Sequence, residues 1–246
     1  AFVEHRADGI IVASCVSDPA DVLARVRPDR VVFVQPDYPA LADGAEPPGR
    51  GIVRTDDSAG VAASVRHLVD RGYRRLTYAG PSGWSSNAWR RAAATAAVAE
   101  LGLGPLRFID VAVDAWRDAS GLARTLAADP PDAVLCYDDK LALGLLDALR
   151  STSLVVPDDL GVVGFDGIPA ARQSWPRLTT VEVPSVDVGR RAVEMLIASV
   201  RDGHMAESEV VPVSLLIGDS TPPRPTARAS SRSAPETVAT APGARS

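Results

Sequence analysis

Five side chains in this sequence of 246 residues have the types and positions needed to hold a polar ligand. Asp138 and Asp139 directly follow an apolar run that is typical of a buried strand, and Asp166 follows another. Arg90 lies near the start of a helical pattern, and Trp116 comes shortly after a third apolar run. Carboxylates and a guanidinium hydrogen-bond hydroxyl groups in fixed geometry, while an indole face covers apolar C–H groups. These residue types favour a sugar-binding pocket.

Structural roles compete with this interpretation. An aspartate that follows a strand is commonly the N-cap of the next helix, and we expect Asp139 to have that role. Arg90 could equally be a surface arginine, and Trp116 could be a packing residue. The spacing of the residues alone leaves these alternatives open.

Catalytic chemistry has little support in the sequence. The three histidines, His5, His67 and His204, fall in helical or loop contexts without a neighbouring nucleophile. The motifs GxSxG and HExxH and a glycine-rich phosphate loop do not occur. Residues 80–83 (GPSG) come nearest to a phosphate loop, but the proline lacks a backbone N–H donor. We therefore predict a binding protein with no catalytic residue and no cofactor.

The two cysteines, Cys15 and Cys136, each lie within an apolar run. They lack CxxC spacing, and no histidine is close enough in sequence to complete a metal site with them. We expect two reduced thiols in the core and no bound metal.

Short apolar runs alternate with longer helical patterns along the chain. The predicted strands cover residues 9–14, 30–34, 51–54, 75–79, 107–111, 133–137, 161–165 and 209–217. The predicted helices cover residues 18–26, 57–71, 89–101, 119–127, 141–150 and 186–201, with Asp57 or Ser58 capping the second. Continuous apolar strands joined by helices indicate a parallel sheet buried on both faces. Such a doubly wound α/β fold binds ligands beyond the carboxyl ends of its strands.

The charge is unevenly distributed. The net charge of the chain is −5, but the last 25 residues, from Pro222 to Ser246, carry +3, so residues 1–221 carry −8. An acidic body of this kind should be repelled by a polyphosphate, which argues against a nucleic-acid-binding surface. The last 25 residues are rich in Pro, Ser, Ala and Arg without periodicity, and we predict that they are disordered. No apolar run approaches the ~20 residues of a membrane span, so no membrane partner is expected.

Several ordered motifs resemble those of LacI/GalR transcription regulators. The first is DDSAG at residues 56–60, followed by HLVDRGYRRL at residues 67–76. The second is AVLCYDDKLALG at residues 133–144. The most specific is VPDDLGVVGFD at residues 156–166, continuing to PRLTTV at residues 176–181.

The resemblance covers residues 1–221 and implies two α/β subdomains of the periplasmic-binding-protein-like type I kind, with the effector between them. It assigns residues 1–57 and 183–210 to a first, incomplete subdomain. The second subdomain would comprise residues 58–182 and 211–221.

The family's pocket positions correspond to residues that the strand-end argument also selects. They are Arg90, Trp116, Asp138 and Asp166, whereas Asp139 corresponds to a structural position. The family's usual Asn is Asp138 here, and an ionised carboxylate only accepts hydrogen bonds, so a ligand with additional donors is favoured. Further departures leave the identity of the effector open; they occur at residues 93–94, Val183 and Gly218.

The resemblance implies the effector-sensing domain of a repressor, which would bind a small sugar or related polyol in the cytoplasm as a homodimer. Relatives begin with a helix-turn-helix domain, a hinge helix and a first βα unit. This sequence begins within what resembles the first subdomain of these relatives. We therefore expect it to be truncated, with operator DNA contacted only through the absent domain. Three alternatives remain: a periplasmic sugar-binding protein of a transporter, an α/β enzyme acting on sugars, and a non-functional truncated fragment.

Overall fold

The computed structural model describes residues 7–13, 25–36, 51–82 and 85–224. The strands are β1 Ile10–Ala13, β2 Val31–Val34, β3 Ile52–Thr55, β4 Leu76–Pro81, β5 Arg107–Val111, β6 Ala133–Cys136, β7 Gly161–Asp166, β8 Thr179–Glu182, β9 Glu209–Val211 and β10 Ser214–Leu216. The α-helices are α1 Asp57–Asp70, α2 Ser85–Glu100, α3 Ser120–Ala128, α4 Asp139–Leu149, α5 Pro169–Gln173 and α6 Ser185–Asp202. A short 3-10 helix, Pro28–Arg30, precedes β2.

The strands form two sheets, and the predicted α/β fold is confirmed. A four-stranded parallel sheet has the order β1-β2-β3-β9. A six-stranded sheet has the order β10-β8-β7-β6-β4-β5, in which only β10 runs antiparallel to its neighbour. The chain crosses between the sheets at Asp56, at residues 183–184 and at residues 212–213.

The strands of the six-stranded sheet are apolar on both sides because helices cover both faces. On β6, Val134 packs with Leu126 of α3 and Leu145 of α4. The next residue, Leu135, points to the opposite face and packs in the cluster that contains Leu68 of α1. Full burial of one such leucine contributes about 1.5–3 kcal/mol, so these layers hold the strand ends in fixed positions. In the part of the chain that the structure describes, no helix is long and apolar enough to cross a membrane.

The structure differs from the predicted strand at residues 209–217 and from the predicted cap of α1. The single strand predicted for residues 209–217 is divided into β9 and β10, which belong to different sheets. Pro212 separates them, and a proline cannot donate the backbone hydrogen bond that a continuous strand would need at that position. The cap of α1 is Asp56, whose side chain accepts from the backbone N–H of Ala59 at 3.0 Å, so the cap predicted at Asp57 or Ser58 is wrong.

Other predictions fall outside the described residues. These include most of the helix predicted for residues 18–26, the histidine His5 and the thiol Cys15. Cys136 is a free, buried thiol.

The predicted disordered tail begins too early. The Tyr73 hydroxyl donates to the carbonyl of Pro222 at 2.9 Å, and the backbone N–H of Arg224 donates to the carbonyl of Arg71 at 2.8 Å. The Arg224 guanidinium also lies 5.4 Å from the centre of the Tyr73 ring. Residues 222–224 are therefore packed on the body, and residues 225–246 lie outside the described part of the chain.

Candidate functional site

The carboxyl ends of β4, β5, β6 and β7 meet at one edge of the six-stranded sheet. A small hollow opens at this edge beside β4, β5 and β6. Its lining is formed by Pro81, Val111, Ala112, Val113, Trp116, Tyr137, Asp138 and Leu141. Two of the predicted site residues, Trp116 and Asp138, thus share one hollow.

Hydrogen bonds connect the start of α2 to the end of β4. Buried Asn87 donates from Nδ2 to the carbonyl of Pro81 at 2.6 Å and accepts from the Tyr78 hydroxyl at 3.0 Å. Because residues three apart on a helix share a face, this anchor directs Arg90 towards the same strand ends. The Arg90 side chain is only 7% exposed, which excludes the alternative of a surface arginine.

The Arg90 guanidinium is held by several groups. Its Nε donates to Oδ2 of Asp57 at 2.8 Å, and its Nη1 donates to the carbonyl of Tyr137 at 2.6 Å. Its central carbon lies 3.6 Å from the centre of the Phe165 ring. Burial alone would lower the pKa of this guanidinium, but the carboxylates of Asp57 and Asp166 raise it above its usual value. Arg90 is therefore a fixed cation at the strand ends.

Asp166 ends β7 beside this cation. Burial raises the pKa of its carboxyl to about 7; Arg90 lowers that pKa, whereas Asp138, Asp139 and Asp57 raise it. The backbone of Asp166 has a φ of 108°, a left-handed value that is strained for a residue with a side chain. Strain of this kind is concentrated at functional sites, so the observed outlier favours a functional role for Asp166.

The two acids of the DD pair have different roles, and one of them was predicted wrongly. Oδ1 of Asp138 accepts from the backbone N–H of Leu141 at 2.7 Å, so Asp138 is the helix cap. The prediction that Asp139 caps the helix is wrong because α4 begins at residue 139, two residues before the predicted start. Fully buried Asp139 instead accepts from the backbone N–H of Ile168 at 2.8 Å and from the Thr180 hydroxyl at 2.5 Å. Burial raises its pKa to about 6.

Two glycines make room for the site. A Cβ at Gly164 of β7 would overlap the Asp139 carboxylate, and a Cβ at Gly144 of α4 would overlap the backbone carbonyl of Trp116. Trp116 is 43% exposed, and the Arg117 guanidinium lies 4.9 Å from its ring centre. The indole is therefore open to solvent on part of its surface, unlike a core residue.

Sequence reasoning missed three neighbours of Arg90, namely Asp57, Tyr137 and Phe165. Tyr137 and Phe165 each come directly before a predicted site aspartate, so the strand-end argument could have included them. Asp57 gave no such signal, because its partner is 33 residues away in the chain.

The site combines a fixed cation with acidic side chains that can accept hydrogen bonds. The Arg90 cation interacts with the carboxyl groups of Asp57 and Asp166, and Asp138 and Asp139 lie close enough to Asp166 to raise its pKa. The buried histidine His67 lies elsewhere, where it bonds to the Thr221 hydroxyl at 2.9 Å. Across the described residues, no group of three or more histidine, cysteine, aspartate or glutamate side chains is placed to hold a metal ion.

Comparison with known proteins assigns the fold to a family. Residues 65–221 match the model of the periplasmic binding protein-like domain. The chain belongs to this family. Its core is of the LacI/GalR type.

Relatives of this periplasmic binding protein-like domain include regulators. The transcriptional repressor PurR of Photobacterium profundum is 28% identical over 207 residues, which cover 82% of the chain and 60% of that repressor. The chain thus spans about 60% of the length of this curated relative.

Solved structures share the fold of this periplasmic binding protein-like domain. A LacI family regulator from Enterococcus faecium with bound ribose has a TM-score of 0.77 at 22% identity, covering 91% of the chain and 82% of that structure. A dimeric Lac repressor has a TM-score of 0.74 at 22% identity, covering 90% of the chain and 80% of that structure.

Proposed function

We propose that this domain binds a small sugar or related polyol at the carboxyl edge of the six-stranded sheet and senses it as an effector. The single observation that supports this best is the buried Arg90, which Asp57 and the Tyr137 carbonyl fix beside Asp166. A guanidinium held in this way offers donors without further loss of side-chain freedom. The hollow beside it contains an open indole, Trp116, and an acceptor, Asp138.

The chemistry of the site indicates which ligands fit. Arg90 supplies donors, and the carboxylates of Asp138 and Asp166 supply acceptors, so a molecule with many hydroxyl groups meets both needs. Trp116 can cover its apolar C–H face. Since carboxyl groups outnumber the one cation, ligands that also carry N–H donors, such as amino sugars, are favoured over acidic sugars.

A regulatory role agrees with the relatives. The curated relatives are named as transcriptional repressors of the helix-turn-helix type. In this proposal the two sheets are the cores of two lobes. The boundaries predicted at residues 57/58 and 210/211 move to the crossings at Asp56 and at residues 212–213, because Val211 belongs to β9 and Asp57 begins α1. The ligand stabilises one arrangement of the lobes and so shifts the DNA affinity of a helix-turn-helix domain in the whole regulator. The regulator would act as a cytoplasmic homodimer and would not be an enzyme.

Isothermal titration calorimetry tests the binding step. The chain is titrated with D-ribose, D-glucose, cellobiose, D-glucosamine and sorbitol, one at a time. We expect saturable binding of at least one of them. The variant Trp116→Ala should bind that compound roughly tenfold more weakly, because it lacks the aromatic surface.

Trp175→Ala is the matched control. Trp175 is 91% exposed and does not line the hollow, so its removal should leave affinity unchanged. Absence of binding across all five compounds, or equal weakening by both tryptophan variants, would overturn the proposal.

A further inference from the structure

A chain of hydrogen bonds runs from the four-stranded sheet to Arg90. It begins at Gln35, directly after β2, and passes through Thr55, the last residue of β3. Its next member is Asp57, the first residue of α1, which holds the Arg90 guanidinium. Because β2 and β3 belong to one sheet and Arg90 lies at the edge of the other, this relay links the two sheets.

Each bond of the relay has a fixed direction. Oε1 of Gln35 accepts from the backbone N–H of Thr55 at 2.7 Å, which leaves its Nε2 to donate to the Thr55 hydroxyl at 2.5 Å. The hydroxyl donates its single proton to Oδ1 of Asp57 at 2.6 Å. The other carboxylate oxygen accepts from Nε of Arg90 at 2.8 Å. A carboxylate only accepts and a guanidinium only donates, so the order of donors cannot reverse.

Burial stabilises one arrangement of the hydrogen bonds between Thr55, Asp57 and Arg90. Thr55 is 2% exposed, Asp57 is 9% exposed and Arg90 is 6% exposed. Charged hydrogen bonds are stronger away from water, and loss of one partner leaves the others without compensation. The Thr55 hydroxyl therefore determines which way the Asp57 carboxylate faces.

The relay spans one of the crossings between the sheets. Asp56 lies between Thr55 and Asp57, and its backbone N–H donates to the carbonyl of Val211 in β9 at 3.0 Å. Its side chain caps α1 through the backbone N–H of Ala59. A rotation between the sheets at this crossing changes the backbone angles of Asp56. Those angles set the distance between the Thr55 hydroxyl and the Asp57 carboxylate.

We infer that Asp57 is a positioning residue for Arg90 and that Thr55 and Gln35 hold it in place. The placement of the guanidinium at the edge of the six-stranded sheet thus depends on the four-stranded sheet. The consequence for ligand affinity rests on the proposed function, because it requires Arg90 to contact the ligand. The relay itself consists of contacts within the chain and is tested without added ligand.

The experiment compares three threonine variants of the full chain without ligand. Thr55→Val removes the hydroxyl at nearly constant volume, and Thr55→Ser keeps it. Thr77→Val is the matched control, because Thr77 is 1% exposed and its hydroxyl has no hydrogen-bond partner in the described part of the chain. The readout is the rate at which the Nε proton of Arg90 exchanges with water in 15N NMR spectra. Its resonance is assigned by its loss in Arg90→Lys.

We expect Thr55→Val to accelerate this exchange by about tenfold or more and to shift the resonance. Thr55→Ser and Thr77→Val should stay within about twofold of the unsubstituted chain. An unchanged exchange rate in Thr55→Val would overturn the inference. If the melting temperature fell without a change in that rate, the Thr55 hydroxyl would stabilise the fold without positioning Arg90. Equal acceleration in Thr77→Val would also overturn it.

A second variant covers the case in which Thr55→Val does not fold. Gln35→Met removes the donor to the Thr55 hydroxyl and should accelerate exchange by about threefold, since the carboxylate keeps its direct bond. No change in that variant would contradict the relay. These rates are independent of the sugar titrations, so failure of the ligand proposal and failure of the relay give different results.

Discussion

The guanidinium carbon of Arg90 lies 3.6 Å from the centre of the Phe165 ring, and the residue after Phe165 is Asp166. A cation over an aromatic face is attracted by the ring's quadrupole, and more strongly when both are desolvated. This contact places the cation at the end of β7. It also ties α2 to the strand that carries the strained aspartate.

The ion pair between Arg90 and Asp57 should contribute to the free energy of unfolding. Arg90→Met leaves a buried carboxylate without its partner, so we expect the free energy of unfolding to fall by about 3–5 kcal/mol. Adding Asp57→Asn should restore part of this loss, since no isolated buried charge remains. Urea denaturation of both single variants and the double variant measures the coupling. Strictly additive losses would show that the two side chains do not stabilise each other.

The acids of the DD pair should differ in their effect on stability. Asp138→Ala loses a helix cap and should cost about 1 kcal/mol of unfolding free energy. Asp139→Ala removes the buried acceptor of the Ile168 backbone N–H and of the Thr180 hydroxyl and should cost about 2 kcal/mol or more. Denaturant unfolding of the two variants under identical conditions gives the comparison. A larger cost at residue 138 would reverse the assigned roles.

Stability should depend on pH through Asp166. Burial raises the pKa of its carboxyl to about 7, so the folded protein keeps a proton that the unfolded chain has lost. The free energy of unfolding should therefore rise as pH falls from 8 towards 5, by up to about 1.4 kcal/mol per pH unit for this proton. Asp166→Asn should reduce the slope most clearly between pH 8 and pH 6, because Asp139, whose pKa is raised to about 6, still contributes below that range. Asparagine tolerates the positive φ.

Exposed Asp158 provides the control for that experiment, because Asp158→Asn should keep the slope of the unsubstituted chain. Melting temperatures between pH 5 and pH 8 provide the measurement. Parallel profiles for Asp166→Asn and the unsubstituted chain would contradict the raised pKa. The difference between the two profiles removes the contribution of His67, whose lowered pKa acts in the opposite direction.

Because of the contacts of residues 222–224, two truncated chains should differ in stability. A chain ending at Thr221 loses the bond from Tyr73 to Pro222 and the contacts of Arg224, and we expect it to be less stable by about 1–2 kcal/mol. A chain ending at Arg224 keeps these groups and should match the full chain. Thermal unfolding of the three chains tests this. Equal stability of all three would show that residues 222–224 contribute nothing.

Features that depend on a local pattern of residues could be predicted from the sequence. Val134 and Leu135 face opposite sides of β6, and this continuous apolar run predicted a strand buried on both faces. The positions of Asp138 and Asp166 followed from the ends of such runs.

Features that depend on distant partners were not predictable in this way. The roles of Asp138 and Asp139 depend on where α4 begins, and a propensity pattern locates a helix start only to within a few residues. The bond between Asp57 and Arg90 joins two helices that are brought together by packing. The division between β9 and β10 depends on which sheet each strand joins.

Calorimetry on two aspartate variants tests whether the ligand contacts Asp166. The compound that binds the unsubstituted chain in the five-compound titration is titrated into Asp166→Asn and into Asp158→Asn. At pH 8, where the Asp166 carboxyl is mostly ionised, we expect Asp166→Asn to weaken binding roughly tenfold to 100-fold, because a charged acceptor in the site is lost, whereas Asp158→Asn should bind normally. Equal dissociation constants for the two variants would contradict it.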